Sequence, residues 1–289
     1  DYFFSKKLAF NFGIRTSNNN LLNEFSTTPR ASIAFKTGKF NQFSFAYGKF
    51  EQAPEAEYLK YANNFDNEKT QHYILNYTFA KEGTTFRAET YYKNYNDLVK
   101  FDTQAPVFNS NYSNTGSGYA KGLDIFYRED NRIKNLQYWI SYSFIDTQRD
   151  YRNYSQQATP SFVAKHTASI VTKYWISSLR SQLGLTYNFN SGRPFENPNT
   201  AGFLNEKTKT FNNLNLGWAY LLSPQKILYL SVSNLHGNKN IFGYEYANTP
   251  NQQGNFNSKP IVPTASRFIF VGFFWTISKD KKTNQLDNL

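Results

Sequence analysis

The sequence predicts an all-β chain, an antiparallel transmembrane β-barrel with about twelve strands present, and three observations predict it. Apolar and polar residues alternate through about a dozen stretches. The stretches run about 9–11 residues, the length at which a tilted strand crosses a bilayer. The gaps joining them are alternately long and short, as when hairpin turns gather at one end of a barrel and loops at the other.

Lys7 to Ser17 sets the pattern. Leu8, Phe10, Phe12 and Ile14 fall on one face, and Ala9, Asn11, Gly13 and Arg15 on the other, because side chains flip at every residue of a strand. The alternation returns at Phe43/Phe45/Tyr47, Tyr73/Leu75/Tyr77/Phe79, Tyr138/Ile140/Tyr142/Phe144, Leu183/Leu185/Tyr187/Phe189 and Leu214/Leu216/Trp218/Tyr220. Strands are expected over 6–16, 29–37, 42–50, 69–80, 85–96, 118–128, 136–147, 164–175, 179–190, 210–221, 226–234 and 266–278. Short connections fall at Gly38-Lys39, Lys81 to Gly83, Glu129 to Asn135, Ile176 to Ser178 and Ser223 to Gln225. Longer stretches rich in Asn, Gly, Pro and Ser lie near 17–28, 51–68, 97–117, 148–163, 191–209 and 235–265. In the last strand Ile269, Val271, Phe273 and Trp275 share one face, but Phe268, Phe270 and Phe274 make the other apolar too, so alternation leaves its outward side unassigned. An even strand count returns both ends to the short-turn side, which in bacterial barrels is the periplasm, with the long loops extracellular. Residues 1–278 read as a barrel segment and 279–289 as a mobile periplasmic tail.

Alternation by itself also fits a soluble β-sandwich or barrel, which turns its apolar face inward. The other face decides in favour of the membrane. It reads Ser44/Ala46/Gly48, Gln182/Gly184/Thr186/Asn188 and Asn213/Asn215/Gly217/Ala219, small and polar as a lumen should be. Composition agrees. Phe (28) and Tyr (22) supply the apolar bulk where a soluble core would use Leu, Ile and Val; Tyr in particular suits a surface that is apolar with a wet edge. A mean hydropathy of −0.65 excludes a helical membrane protein. No Cys is present, so there is neither a disulfide framework nor a thiolate metal site. No Met is present either, and Asp1 is expected to lie inside a longer precursor. The net charge of +11 is spread thinly, without the concentrated patch that nucleic acid requires.

Catalytic signals are absent. None of His72, His166 and His236 has a Ser two residues on, the arrangement an outer-membrane hydrolase would use, and their separation does not make a metal site. Gly116, Gly118 and Gly122 superficially match a dinucleotide fingerprint, but a loop precedes them and the strand Tyr119 to Arg128 follows, so they better serve a loop descending into a strand or close backbone approach across the lumen. No cofactor is expected.

Several motifs in order resemble the C-terminal portion of a TonB-dependent outer-membrane receptor, of the kind common in Bacteroidetes. Pro29-Arg30-Ala31-Ser32-Ile33-Ala34-Phe35, followed by Phe43-Ser44-Phe45-Ala46-Tyr47-Gly48, resembles that family's Pro-Arg strand and its partner. Glu51 to Leu59 matches the loop that follows. Asn114-Thr115-Gly116 with Gly122-Leu123-Asp124, Ser191-Gly192-Arg193-Pro194-Phe195, Ser233-Asn234-Leu235 and Phe270 to Trp275 match later elements. The resemblance implies a 22-stranded barrel around a plug, of which this chain would be about half the wall. It also implies energised uptake of a scarce or bulky nutrient (iron chelate, haem, cobalamin, glycan or peptide) driven by the TonB complex through an N-terminal region. It places Phe273 and Trp275 at the barrel assembly signal, although residues follow them here.

The expected ligand contacts are Tyr58, Tyr112, Arg193, Phe195, His236, Tyr244 and Tyr246, in or beside the long loops, with loop packing as the competing role for the aromatics. Arg15, Arg30, Arg87, Arg128 and Arg180 are expected on the lumen face, where they would focus a positive field or pair with carboxylates such as Glu89 and Asp124. Expected partners are outer-membrane lipid, the chain's own plug and remaining strands, the TonB complex and an extracellular ligand. The rival readings are a self-contained twelve-stranded passive channel or enzyme, and an adhesion barrel.

Overall fold

The computed structural model describes residues 2–277, so the expected tail at 279–289 lies outside the described residues. In chain order the elements are β1 (Tyr2–Phe3), β2 (Leu8–Asn19), β3 (Glu24–Lys36), β4 (Asn41–Gln52), α1 (Ala56–Leu59), β5 (Glu68–Lys81), β6 (Thr84–Phe101), β7 (Tyr112–Ile133), β8 (Leu136–Asp150) and β9 (His166–Ile176). They continue as β10 (Ser181–Asn190), β11 (Pro194–Phe195), β12 (Glu206–Lys207), β13 (Phe211–Ser223), β14 (Lys226–Ser233), β15 (Gly243–Tyr246), β16 (Ser258–Ile261) and β17 (Phe268–Trp275). Thirteen strands form one sheet in which each pairs antiparallel with its sequence neighbours, β11–β12 and β15–β16 being separate hairpins inside two long connections. Setting aside the two-residue β1, twelve long strands remain, at the expected places.

The sheet is open. Among the described residues β17 pairs only with β14, and the outer edge of β2 meets only β1, through Tyr2↔Phe10 and Phe3↔Ala9.

Register carries one apolar face across the whole sheet. Phe10, Ile33, Phe45 and Leu75 lie side by side, and further along Ile140, Ile170, Tyr187 and Leu214 do the same. These side chains face outward without a covering layer: Phe12, Ile14 and Val271 are each 60% exposed or more. A water-soluble domain would bury such a face, whereas a bilayer covers it. The opposite face carries Gly13, Arg30 and Gly48 in one row and Gly184 and Gly217 in another. Register also assigns the last strand. Ile269, Val271 and Phe273 oppose Val232, Leu230 and Leu228, which belong to the apolar face. Phe270 and Phe274 therefore sit on the polar face, where both rings lie beside Tyr229.

Short turns at 4–7, 37–40, 82–83, 134–135, 177–180 and 224–225 gather at one end, and long connections at the other. One expectation fails. The stretch 17–28 is not a long loop, because Ser17↔Ser26, Asn18↔Phe25 and Asn19↔Glu24 continue the β2–β3 ladder to a four-residue turn. Strands β6 and β7 likewise run to 18 and 22 residues, well beyond what a bilayer needs. They carry their pairing out past the apolar band and provide the surface on which the long loops settle.

Candidate functional site

The loop platform has its own core. Tyr58 from α1 and Phe65 from the same connection bury against Val99 and Phe101 of β6, with Leu22 and Tyr112 against them. Polar ties fix the rest. Asn114 bonds Asp66 in both directions, its Oδ1 accepting from the Asp66 amide at 3.0 Å and its Nδ2 donating to the Asp66 carbonyl at 3.1 Å. Arg152 donates to Glu55 at 2.9 Å, joining the connection 53–67 to 151–165, and Lys100 is ion-paired with Asp150.

Between this platform and the polar face lies a cavity of about 460 Å³. Strands supply Arg15, Phe50, Glu68, Tyr95 and Arg149, and loops supply Glu55, Tyr58, Tyr151, Arg152 and Phe162. Local backbone sets these positions. The β6–β7 register slips between Tyr95 and Leu98, where Asp97 takes a left-handed conformation (φ 57°). The slip turns the Val99 amide onto the Glu68 carboxylate at 3.0 Å. Arg152, also left-handed (φ 53°), returns its amide to the Val99 carbonyl at 2.6 Å, which holds the loop against β6.

Arg149 is the distinctive group. Its guanidinium lies over Tyr95 at 4.5 Å, Tyr151 at 5.6 Å and Phe162 at 5.8 Å, and among the described residues it enters no ion pair. Its Nε is buried without a hydrogen-bond partner. A guanidinium held by rings keeps donors available for a planar acceptor or an anion. Burial pushes the Tyr58 hydroxyl above its ordinary range despite the neighbouring Arg152, so it stays a neutral donor.

The expected contact residues divide. Tyr58 borders the cavity but is 4% exposed and mainly packs the loops. Tyr112 braces Phe65 and Phe101 and donates to the Val107 carbonyl at 2.8 Å. Arg193 borders a second hollow of about 170 Å³ with Phe211 and Phe242. Phe195 and Tyr244 meet at 4.9 Å, joining the two long connections nearest the end of the chain; Tyr246 is on the same hairpin, where burial raises its hydroxyl. His236 stands exposed and reaches neither hollow.

Arg15, Arg30, Arg87 and Arg128 are all on the polar face by register, and Arg15 borders the cavity. Arg87 lies 3.9 Å from Glu89, one of the carboxylates expected to pair with it. Arg180 lies off the strands, left-handed (φ 45°) in the turn before β10. Phe273 and Trp275 face the apolar side, and Lys226 covers the Trp275 ring. Sequence reasoning missed Arg149, Tyr95 and Phe162. Continuing the alternation of β8 two residues past 147 would have placed Arg149 on the polar face.

Residues 1–235 match the family model described as TonB dependent receptor-like, beta-barrel. The chain belongs to that family. It is therefore an outer-membrane β-barrel of a receptor family rather than an enzyme; the match does not bear on lineage. No curated protein sequence matches the chain. Among solved structures, this receptor barrel is similar to the ferric yersiniabactin uptake receptor FyuA from Yersinia pestis, with a TM-score of 0.70 and 13% identity over 93% of this chain and 43% of that one. It is similar to the siderophore receptor PiuA from Acinetobacter baumannii, at 0.68 and 13% over 93% and 41%. The FrpB iron transporter from Neisseria meningitidis gives 0.67 and 11% over 94% and 42%. At such identities the likeness is one of fold, and the chain spans less than half of each of those receptors.

Proposed function

We propose that this chain forms about half of the barrel wall of a TonB-dependent transporter, the C-terminal portion, that takes up a scarce or bulky nutrient. The observation that carries this reading is the open sheet with one apolar and one polar face. An unpaired edge cannot rest in hydrocarbon, so both edges need further strands. A self-contained twelve-stranded channel would need β17 to close on β2. Gly13 and Gly184 support a plug in front of the wall: a Cβ at Gly13 would meet nothing within 4 Å and one at Gly184 only ordinary contacts, so the wall's own packing does not require glycine there.

In this reading the long connections are extracellular, the short turns and both chain ends periplasmic, and the pull of the TonB complex acts on a plug. The cavity beneath the loops is part of the ligand site. Arg149, Tyr95 and Phe162 would receive a planar or anionic group, while Glu55 and Glu68 disfavour a ligand with excess negative charge. Uptake receptors and transporters for iron or iron chelates among the structural relatives make an iron chelate the first ligand class to test. Growth of a strain lacking the parent gene, supplied with candidate chelates, haem, cobalamin, glycans or peptides as the limiting nutrient, tests the role. Complementation with the Arg149→Ala variant is expected to lower uptake about tenfold, with Arg149→Lys restoring part of it. Normal growth of the deletion strain on every nutrient would refute the uptake role.

A further inference from the structure

Most of the chain's surplus charge gathers at the short-turn end. Among the described residues, the six short turns and the three residues on either side of each carry nine Lys and Arg against one carboxylate, Glu82. The same window around the six connections at the other end carries twelve cations against eleven carboxylates. Pairing follows the counts. Lys69–Asp97, Lys100–Asp150 and Arg152–Glu55 are ion pairs at the long-connection end, Lys121–Asp146 pairs lower on the wall, and Arg128–Asp130 pairs just outside the counted short-turn windows. None of the nine short-turn cations has a carboxylate partner among the described residues.

Three of the nine are held at the height of aromatic rings. Lys39 and Lys81 lie 5.3 and 5.4 Å from the Phe40 ring centre, and Lys226 lies 4.8 Å from that of Trp275. Lys81 and Lys226 are on the apolar, outward face by register. A ring at the edge of an apolar band with an ammonium over it is arranged like the boundary between acyl chains and headgroups.

We propose that this rim binds anionic phospholipid headgroups, with Lys39 and Lys81 around Phe40 as one anchor and Lys226 on Trp275 as another. The partner is a phosphate-bearing lipid rather than an acidic protein, because the cations are continuous with a lipid-covered face. Near a membrane surface each lysine contributes about a fivefold preference for anionic lipid, and added salt weakens it. In the orientation proposed above, that lipid is in the periplasmic leaflet.

The test is spin-label selectivity of the parent protein reconstituted in phosphatidylcholine nanodiscs, comparing labelled phosphatidylglycerol with labelled phosphatidylcholine. Both leaflets are alike there, so the outcome does not depend on which way up the barrel sits in the cell. The expected result is a preference for phosphatidylglycerol of about fivefold or more that falls toward one at high salt. It is lost for the most part in Lys39→Gln/Lys81→Gln/Lys226→Gln and kept in a Lys49→Gln/Lys165→Gln control. Heat-modifiable gel mobility establishes that each variant is folded, and single Lys81→Gln and Lys226→Gln variants serve if the triple variant is not. A ratio near one in the wild type, or an undiminished ratio in the folded variants, overturns the proposal. So does rim-dependent binding of an acidic peptide without lipid selectivity.

Discussion

Four glycines on the polar face should respond to the same substitution in two opposite ways. At Gly118 an added Cβ would lie 2.5 Å from the Gln148 carbonyl oxygen and 3.0 Å from the Arg149 Cα, both backbone atoms of the neighbouring strand. At Gly122 it would strike the Phe144 carbonyl oxygen and approach the Tyr91 hydroxyl at 2.5 Å. Ordinary contact begins near 3.4 Å, so β7 and β8 would have to separate by about 1 Å, and overpacking of that size costs about 1–3 kcal/mol per site. At Gly13 nothing lies within 4 Å, and at Gly184 the nearest atoms are at 3.8 Å. There Ala should be neutral or stabilise the strand by about 0.5–1 kcal/mol through lost backbone entropy in the unfolded chain. The assay is urea unfolding of the parent barrel with its plug deleted, so that only the wall's own packing is read, refolded into detergent micelles and followed by tryptophan fluorescence, with each of the four Gly→Ala variants beside the wild type. The reasoning fails if Gly118→Ala and Gly122→Ala unfold at the wild-type midpoint, or if Gly13→Ala is as damaging as they are.

Asn234 joins the final long connection to the wall. It is buried and left-handed (φ 51°), its Nδ2 donates to the Asn238 and Ser266 carbonyls, and its Oδ1 accepts from the Asn238 amide at 3.2 Å. Asn234→Ala should cost about 3 kcal/mol and Asn234→Gly about 1 less, since glycine relieves the strain; amide exchange across 234–267 reads both. Asp102 accepts from the amide and side chain of Asn111, which holds its carboxyl below the ordinary range. A depressed folded pKa stabilises the connection 102–111 above the unfolded pKa, and that contribution disappears as pH falls through the folded value. Exchange of the Asn111 amide should therefore accelerate in acid for the wild type, and an Asp102→Asn variant should lose that pH step. Trp275→Ala should slow folding into lipid vesicles more than Phe274→Ala, because only Trp275 lies on the outward face; equal rates would remove it from the assembly signal.

What the sequence reveals is the bilayer more than the strand. Alternation is legible wherever one face meets hydrocarbon, and all twelve long strands are legible for that reason. Where a strand rises into water both faces turn polar and the signal ends, although pairing continues. Residues 17–28 show this: Ser17, Asn18 and Asn19 look like a loop yet pair with Ser26, Phe25 and Glu24. The same blindness hid the upper parts of β6, β7 and β8, and with them Val99 and Arg149, whereas Tyr95 lay within the expected strand without a signal that marked it as a site residue. The loop aromatics were legible as a class but not in role, because whether Tyr58 meets ligand or Phe101 depends on where two distant connections fold. The faces of β17 needed register, since Phe270 and Phe274 pack on Tyr229 over Gly272 and break the alternation.

The account rests on which face meets lipid, and because these 289 residues contain no cysteine, a single introduced thiol can report it once any cysteine elsewhere in the parent protein is replaced. Ile140 and Ile170 are register partners on the apolar face, and Ser141 and Ser169 are register partners on the polar face. Single cysteines at these four positions, labelled with bimane in the parent protein, report their surroundings in vesicles containing brominated lipid. The account predicts strong quenching at 140 and 170 and little at 141 and 169; equal quenching, or the reverse pattern, would contradict it.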